Sequence, residues 1–176
     1  MSSSSPRTDS RRVQGSIVSS IDDDAFLRRA IALGRETMRA NRGGPFGAVV
    51  VIGGQIQGEG ANSVLATSDP TAHAEVMAIR AASAKLRNFS LEGGTLYASS
   101  EPCPMCLGAI YWARLTRIVY ANPRSVAASA GFDDTFFYEE LARDPSARSV
   151  EMRQHVLPDA SALFDEWIAK ADKTPY

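Results

Sequence analysis

At 176 residues with 44% apolar content, the chain is long enough for one well-buried domain and too short for two comfortable ones. Its 19 Lys and Arg are interspersed with 20 Asp and Glu for a formal charge of −1, which argues against nucleic acid as a partner and for a small-molecule substrate. No apolar run reaches the roughly 18 to 20 residues of a membrane span and no secretory core opens the chain, so the expectation is a soluble, cytoplasmic protein with no membrane partner.

Residues 1–20 are rich in Ser and Arg without usable periodicity and are expected to form a mobile arm, with the folded domain over 21–176. A transit-peptide reading of the arm meets Asp9 and finds no apolar stripe. Asp22, Asp23 and Asp24 offer an N-cap and an acidic first turn for a helix running to about Ala40, with Phe26, Ile31, Leu33 and Met38 on its buried side. Gly43-Gly44-Pro45 ends it. Ala48 to Ile52, the turn signal Gly53-Gly54 and Gln55 to Gly60 read as a hairpin.

A helix is expected over roughly 73–87, then a strand near Thr95–Ser99, a helix near 104–113 and a strand at Arg117–Tyr120. Helical segments follow near 123–129 and 134–142. A last helix, roughly 159–171, carries Leu163, Phe164, Trp167 and Ile168 on one side. Strands alternating with helices imply an α/β protein whose partly parallel sheet is covered on both faces.

The chemistry concentrates in His73-Ala74-Glu75 and Pro102-Cys103-Pro104-Met105-Cys106. His73 and Glu75 fall at a predicted helix start, where side chains two apart can both point past the helix end. Cys103 and Cys106, three apart at another helix start that Pro102 and Pro104 suit, share one face and can capture a metal together. One imidazole and two thiolates leave a tetrahedral zinc with an open position for water, the arrangement of a catalytic ion, and leave Glu75 free to move protons. The positive ends of both helix dipoles would point at the ion. Competing readings are a thioredoxin-like redox pair at Cys103 and Cys106, and a closed structural zinc with His155 as fourth ligand in a noncatalytic interaction module. Glu101 reads as a loop-fixing carboxylate.

His-x-Glu followed by Pro-Cys-x-x-Cys is the signature of the zinc nucleobase deaminases, in which the glutamate is acid/base and not a ligand. Gly43 to Ala48, Asp69 to Glu75, Glu101 to Tyr111 and Gly131-Phe132-Asp133-Asp134 extend the likeness. Over about residues 22–176 the chain resembles the bacterial guanine deaminases of the cytidine deaminase-like superfamily. That resemblance implies a three-layer α/β/α sandwich around a mixed five-stranded sheet, with one zinc ion per subunit. It also implies a homodimer that exchanges its C-terminal segments, here residues 157–176.

The implied reaction is hydrolytic deamination of guanine to xanthine and ammonia, with zinc-bound hydroxide as nucleophile, His73, Cys103 and Cys106 as ligands and Glu75 as proton shuttle. The resemblance further makes Asp134 a second acid/base, Asn62 a hydrogen-bonding partner of the purine, and Tyr176 a lid from the other subunit. Phe46, Ala74, Trp112 and Phe132 would help form the base pocket. Read from the residues alone, Asp134 could equally be a helix N-cap, Asn62 a turn residue and the aromatic residues plain core. Ser100 departs from the cysteine that relatives commonly carry there, at a position that holds no metal. Another amino-heterocycle (guanosine, ammeline or cytosine) and tRNA adenosine are the alternative substrates.

Overall fold

The computed structural model describes residues 20–175. The arm expected over residues 1–20 lies outside the described residues except for Ser20, and so does Tyr176. The elements run α1 (Ser20–Arg39), β1 (Gly47–Ile52), β2 (Gln55–Ala61), α2 (Val64–Thr67), α3 (Ala74–Leu86), β3 (Thr95–Ser100), α4 (Pro104–Trp112), β4 (Arg117–Asn122), α5 (Arg124–Ser129), α6 (Thr135–Ala142), a 3-10 turn at Pro145–Ala147 and α7 (Ala162–Ala169). No described helix is long and apolar enough to cross a membrane.

Strand β1 is apolar at every position because both of its faces are covered. Alternation sends Ala48 and Val50 into a core shared with Ala74, Ala78 and Ala82 of α3, Leu96 and Ala98 of β3 and Ile110 of α4. Val49 and Val51 point the other way, with Tyr97, against Phe26, Leu27 and Leu33 of α1. Helices on both faces of the sheet make the three layers expected. Ala30, fully buried, takes a place in α1 that the apolar pattern did not suggest, while Met38 is 44% exposed beyond the sheet edge.

Four strands form the sheet among the described residues, in the order β2-β1-β3-β4, rather than the five expected. β1 pairs antiparallel with β2 and β3, and β3 pairs parallel with β4, so the sheet is mixed. A strand needs a ladder partner to persist in water. After β4 the chain turns directly into α5, and the later segment carrying Val150, Met152, Val156 and Leu157 runs exposed instead of pairing along β4.

The approach of α3 to β2 is unusually close. A Cβ on Gly60 would lie 2.1 Å from the Ala74 carbonyl oxygen, and one on Gly58 would lie 2.3 Å from that of Ala78. These glycines face the Ala74, Ala78 and Ala82 stripe, so helix and strand meet almost backbone to backbone. Gly60→Ala must push backbone aside rather than a flexible side chain, and is expected to destabilise the fold by about 3 kcal/mol in urea titration.

Asp23, expected within a charged cap, has a longer-range role. Its carboxylate accepts hydrogen bonds from the Tyr97 hydroxyl at 2.6 Å and from Arg117 Nη1 and Nη2 at 2.8 and 2.6 Å, tying α1 to β3 and β4. Arg117 above all, then Tyr97, pulls its pKa from 3.8 to about 2. A carboxyl with a depressed folded-state pKa stabilises the fold above its unfolded pKa, and that contribution fades as pH falls through the folded value. Arg117 is nearly half exposed and the pair is screened, so Asp23→Asn is expected to cost about 1 kcal/mol at neutral pH. The difference from the parent protein should close between about pH 4 and 2 when unfolding is followed across pH.

Candidate active site

The metal-ligating residues sit at two helix N-termini. His73 is the N-cap residue of α3 and Cys103 that of α4, both with extended backbone, and Pro104 occupies the first turn of α4 where its missing N–H costs nothing. Neither side chain makes a capping hydrogen bond, so imidazole and thiol remain available to the site. Cys106, one turn into α4, is fully buried, and Glu75 at the start of α3 is 7% exposed.

His73 Nδ1 lies 3.6 Å from Cys103 Sγ and 3.6 Å from Cys106 Sγ, and the three ligand atoms fall within 4.8 Å of one another. Zinc bonds of about 2.05 Å to nitrogen and 2.3 Å to sulfur at tetrahedral angles require an N···S edge of about 3.55 Å. The donor set and its spacing therefore fit zinc. No fourth protein ligand converges among the described residues, and His155 is exposed in the C-terminal segment, which removes the support for a closed structural site. Cys103 and Cys106 also share the imidazole between them, unlike a simple redox pair.

The electrostatics of the ligands point to a cation as well. Hydrogen bonds from Cys106 and His73 pull the Cys103 thiol down to about 4, while bonding with Cys103 pushes the His73 imidazole up. Cys106 moves the other way, held protonated by its bond to Cys103, by burial and by Glu75. A cation held between the two sulfurs would favour the thiolate form of both. Glu75 Oε2 accepts a hydrogen bond from Cys106 Sγ at 3.4 Å. Burial raises the Glu75 pKa, and the negative charge at Cys103 adds to the effect.

These groups open onto a cavity of about 750 Å3 lined by Phe46, Asn62, His73, Glu75, Cys103 and, across from them, Phe132 and Asp134. Phe46 and Phe132 meet edge to face with centroids 4.9 Å apart. Asn62 is 7% exposed, and its Oδ1 accepts from the Gly44 and Val64 amides at 3.2 and 3.4 Å, which leaves Nδ2 as its donor end. Thr37 and Phe46 hold the Asn62 backbone from both sides. Asp134 precedes α6 without capping it. The neighbouring Asp133 accepts from the Thr135 amide at 2.9 Å, a turn bond that leads the chain into α6. Burial raises the Asp134 pKa, with the negative charge at Cys103 acting in the same direction.

Ala74 and Trp112 do not line this cavity. Ala74 is fully buried against β2, and Trp112 ends α4 and is 68% exposed on the protomer. Glu101 fixes the neighbouring loop, accepting from the Arg124 amide at 3.0 Å, as expected of it. Sequence reasoning passed over Arg124, Ala127 and Phe137, which also line the cavity. The signal was present in the order of elements, because ligands of α/β proteins collect beyond the carboxyl ends of parallel strands. Arg124 begins α5 immediately beyond the end of β4.

A family model for the zinc-binding region of cytidine and deoxycytidylate deaminases matches residues 20–122. The chain belongs to the cytidine and deoxycytidylate deaminase family. Within it, the chain is 46% identical over 156 residues to guanine deaminase of Bacillus subtilis, across 89% of this chain and 100% of that relative. The crystal structure of guanine deaminase from Bacillus subtilis superposes with a TM-score of 0.84 at 47% identity, covering 87% of this chain and 98% of that one. The tRNA-specific adenosine deaminase of Aquifex aeolicus is 41% identical over 148 residues, 82% of this chain and 93% of that relative. Zinc is the cofactor of this deaminase, and its donor set is complete within one chain. Cys103→Ala should lower the zinc content of the purified protein from about one ion per chain towards zero, as metal quantification will show.

Proposed function

We propose that this deaminase hydrolyses guanine to xanthine and ammonia. The observation that carries this reading is similarity along the whole length of a bacterial guanine deaminase, including the segments around Asn62 and Asp134 that lie apart from the zinc motif. The aromatic wall that Phe46 and Phe132 give the cavity suits a purine ring, and the Nδ2 donor of Asn62 suits its carbonyl oxygen.

Bound by His73, Cys103 and Cys106, zinc supplies Lewis acidity that turns water into a nucleophile near neutral pH. Glu75 takes the proton that this water loses and delivers it to the ring nitrogen beside carbon 2, so that the amino-bearing carbon becomes tetrahedral. The amine cannot leave as an amide ion. It takes up the proton of the newly added hydroxyl, relayed by Glu75 or Asp134, the carbon–nitrogen bond breaks, and ammonia departs as the ring carbonyl forms. Burial raises the pKa of both carboxyls by disfavouring their charged forms, the direction that suits a proton carrier.

The active assembly in this reading is a homodimer in which residues 157–176 of each chain close the other's cavity, with Tyr176 as the lid. The apolar side of α7 supports it: Leu163, Phe164 and Ile168 are each about two-thirds exposed on the single chain. A cytoplasmic location suits a free base as substrate and cysteines that must stay reduced. Adenosine in tRNA is the second reading, favoured by the likeness to the Aquifex aeolicus enzyme. Against it, Glu75, Glu101, Asp133 and Asp134 line the cavity beside one arginine, a poor surface for a phosphate backbone.

Ammonia release across guanine, guanosine, ammeline, cytosine and tRNA, with bound zinc quantified, tests the assignment. Guanine should be deaminated fastest, and preferential turnover of tRNA would overturn the reading. Glu75→Gln should lower kcat by about 100- to 10,000-fold with zinc retained, since that is the usual worth of a positioned acid/base group.

A further inference from the structure

Arg124 is the only arginine or lysine among the described residues lining the cavity, and the zinc motif makes no use of it. Its backbone amide is anchored on Glu101, which precedes Pro102 and Cys103. Its guanidinium carbon lies 4.7 Å from the centroid of the Tyr138 ring, a cation–π contact. Tyr138 stands four residues after Asp134, one turn along the same face of α6. The Tyr138 hydroxyl approaches the Pro102 carbonyl oxygen, which accepts at 3.5 Å.

Arg124 therefore joins three pieces of the cavity wall: the loop entering α4, the start of α5 and the first turns of α6. It also faces a carboxylate-rich neighbourhood. Its positive charge acts on Asp133 and Asp134, while Glu101 and Cys103 add negative charge on the same side. Asp133 is engaged in the turn bond to the Thr135 amide. Asp134 has no such anchor, and α6 is a short helix of 8 residues with one buried side chain, Glu140. Little else in its own helix fixes where that carboxyl points.

We propose that Arg124 is a positioning residue for deamination: stacked on Tyr138 and tied to Glu101, it pins the start of α6 so that the Asp134 carboxyl faces the reacting amino group. This rests on the reading of Asp134 as an acid/base given above. The guanidinium need not touch substrate. Its plane is held by the ring, its charge draws the neighbouring carboxylate, and both effects act on kcat rather than on binding of the base.

The test is a double-mutant cycle on the zinc-loaded enzyme with guanine, reading kcat and KM separately together with zinc content and Tm. Misplacing a catalytic group by about 1 Å costs on the order of 100-fold, so Arg124→Gln should lower kcat by about 10- to 100-fold with KM little changed. Arg124→Lys, which keeps the charge but not the planar stack, should recover part of that loss. Removing the ring with Tyr138→Leu should reproduce it. In the Asp134→Asn background Arg124→Gln should cost no more than about twofold further, because residues that act through one another are not additive.

An Arg124→Gln loss that multiplies unchanged onto Asp134→Asn overturns the inference, as does an unchanged kcat in Arg124→Gln beside an impaired Asp134→Asn. Full activity in Asp134→Asn overturns instead the reading of Asp134 on which the inference rests. If Arg124→Gln loses zinc or Tm, the cycle with Arg124→Lys decides by the same criteria.

Discussion

The close seating of α3 on β2 sets the geometry of the whole site. Because Gly58 and Gly60 present no side chain, the Ala74, Ala78 and Ala82 stripe lies directly on the strand. The first turn of α3 then reaches the level of the hairpin end that holds Asn62. His73 and Glu75 are delivered from that turn, and Cys103 and Cys106 from the start of α4, which packs on the same face of the sheet. The ligand spacing that suits zinc is thus a consequence of helix-on-strand packing. A small displacement of α3 would spread the N···S edges and move Glu75 with them.

Placing ligands at helix N-termini also solves an electrostatic problem. Two thiolates buried beside a carboxylate repel one another, and Cys106 is held protonated first by its bond to Cys103 and by burial, with the charges of Glu75 and Cys103 adding to both. Helix N-termini carry partial positive charge, and a divalent ion supplies the rest. The same neighbourhood disfavours the ionised forms of Glu75 and Asp134 through burial. A group that must both accept and return protons near neutral pH is served by that bias. The opposite sign appears at Asp23, where Arg117 and Tyr97 stabilise the carboxylate and its role is structural.

The two ends of the fold contrast sharply. From α1 through β4 the chain surrounds a double core, whereas α5 to α7 contribute few buried side chains, and α7 contributes none. Apolar side chains of α7 face outward at a density that a lone protomer does not need. The cavity, meanwhile, is broader than one purine fills. In the homodimer proposed above, exchange of residues 157–176 would cover both.

Much of this was legible in the linear sequence. Period-two and helical patterns located the hairpin, α1, α3, β3, α4 and β4, because those signals are local consequences of what each element buries. The zinc donor set was legible for a related reason: ligands at i and i+3 on one helix start, with a histidine beside a glutamate on another, encode coordination chemistry in short spacings. Other features depended on tertiary contact. The strand count fell to four because pairing is a property of two segments, and no described segment pairs along the edge of β4 that faces away from β3. Whether Asp134 caps its helix was decided by the backbone at the start of α6, which is not extended at Asp134, and its carboxyl makes no capping bond. Asn62 lines the cavity while its oxygen accepts from the Gly44 and Val64 amides, so it serves the turn and the cavity wall together. Arg124 acquired significance only when α5, α6 and the loop at Glu101 came together. Local chemistry therefore determined the metal and the proton carrier, while the arrangement around them arose from long-range packing, which no spacing along the chain records.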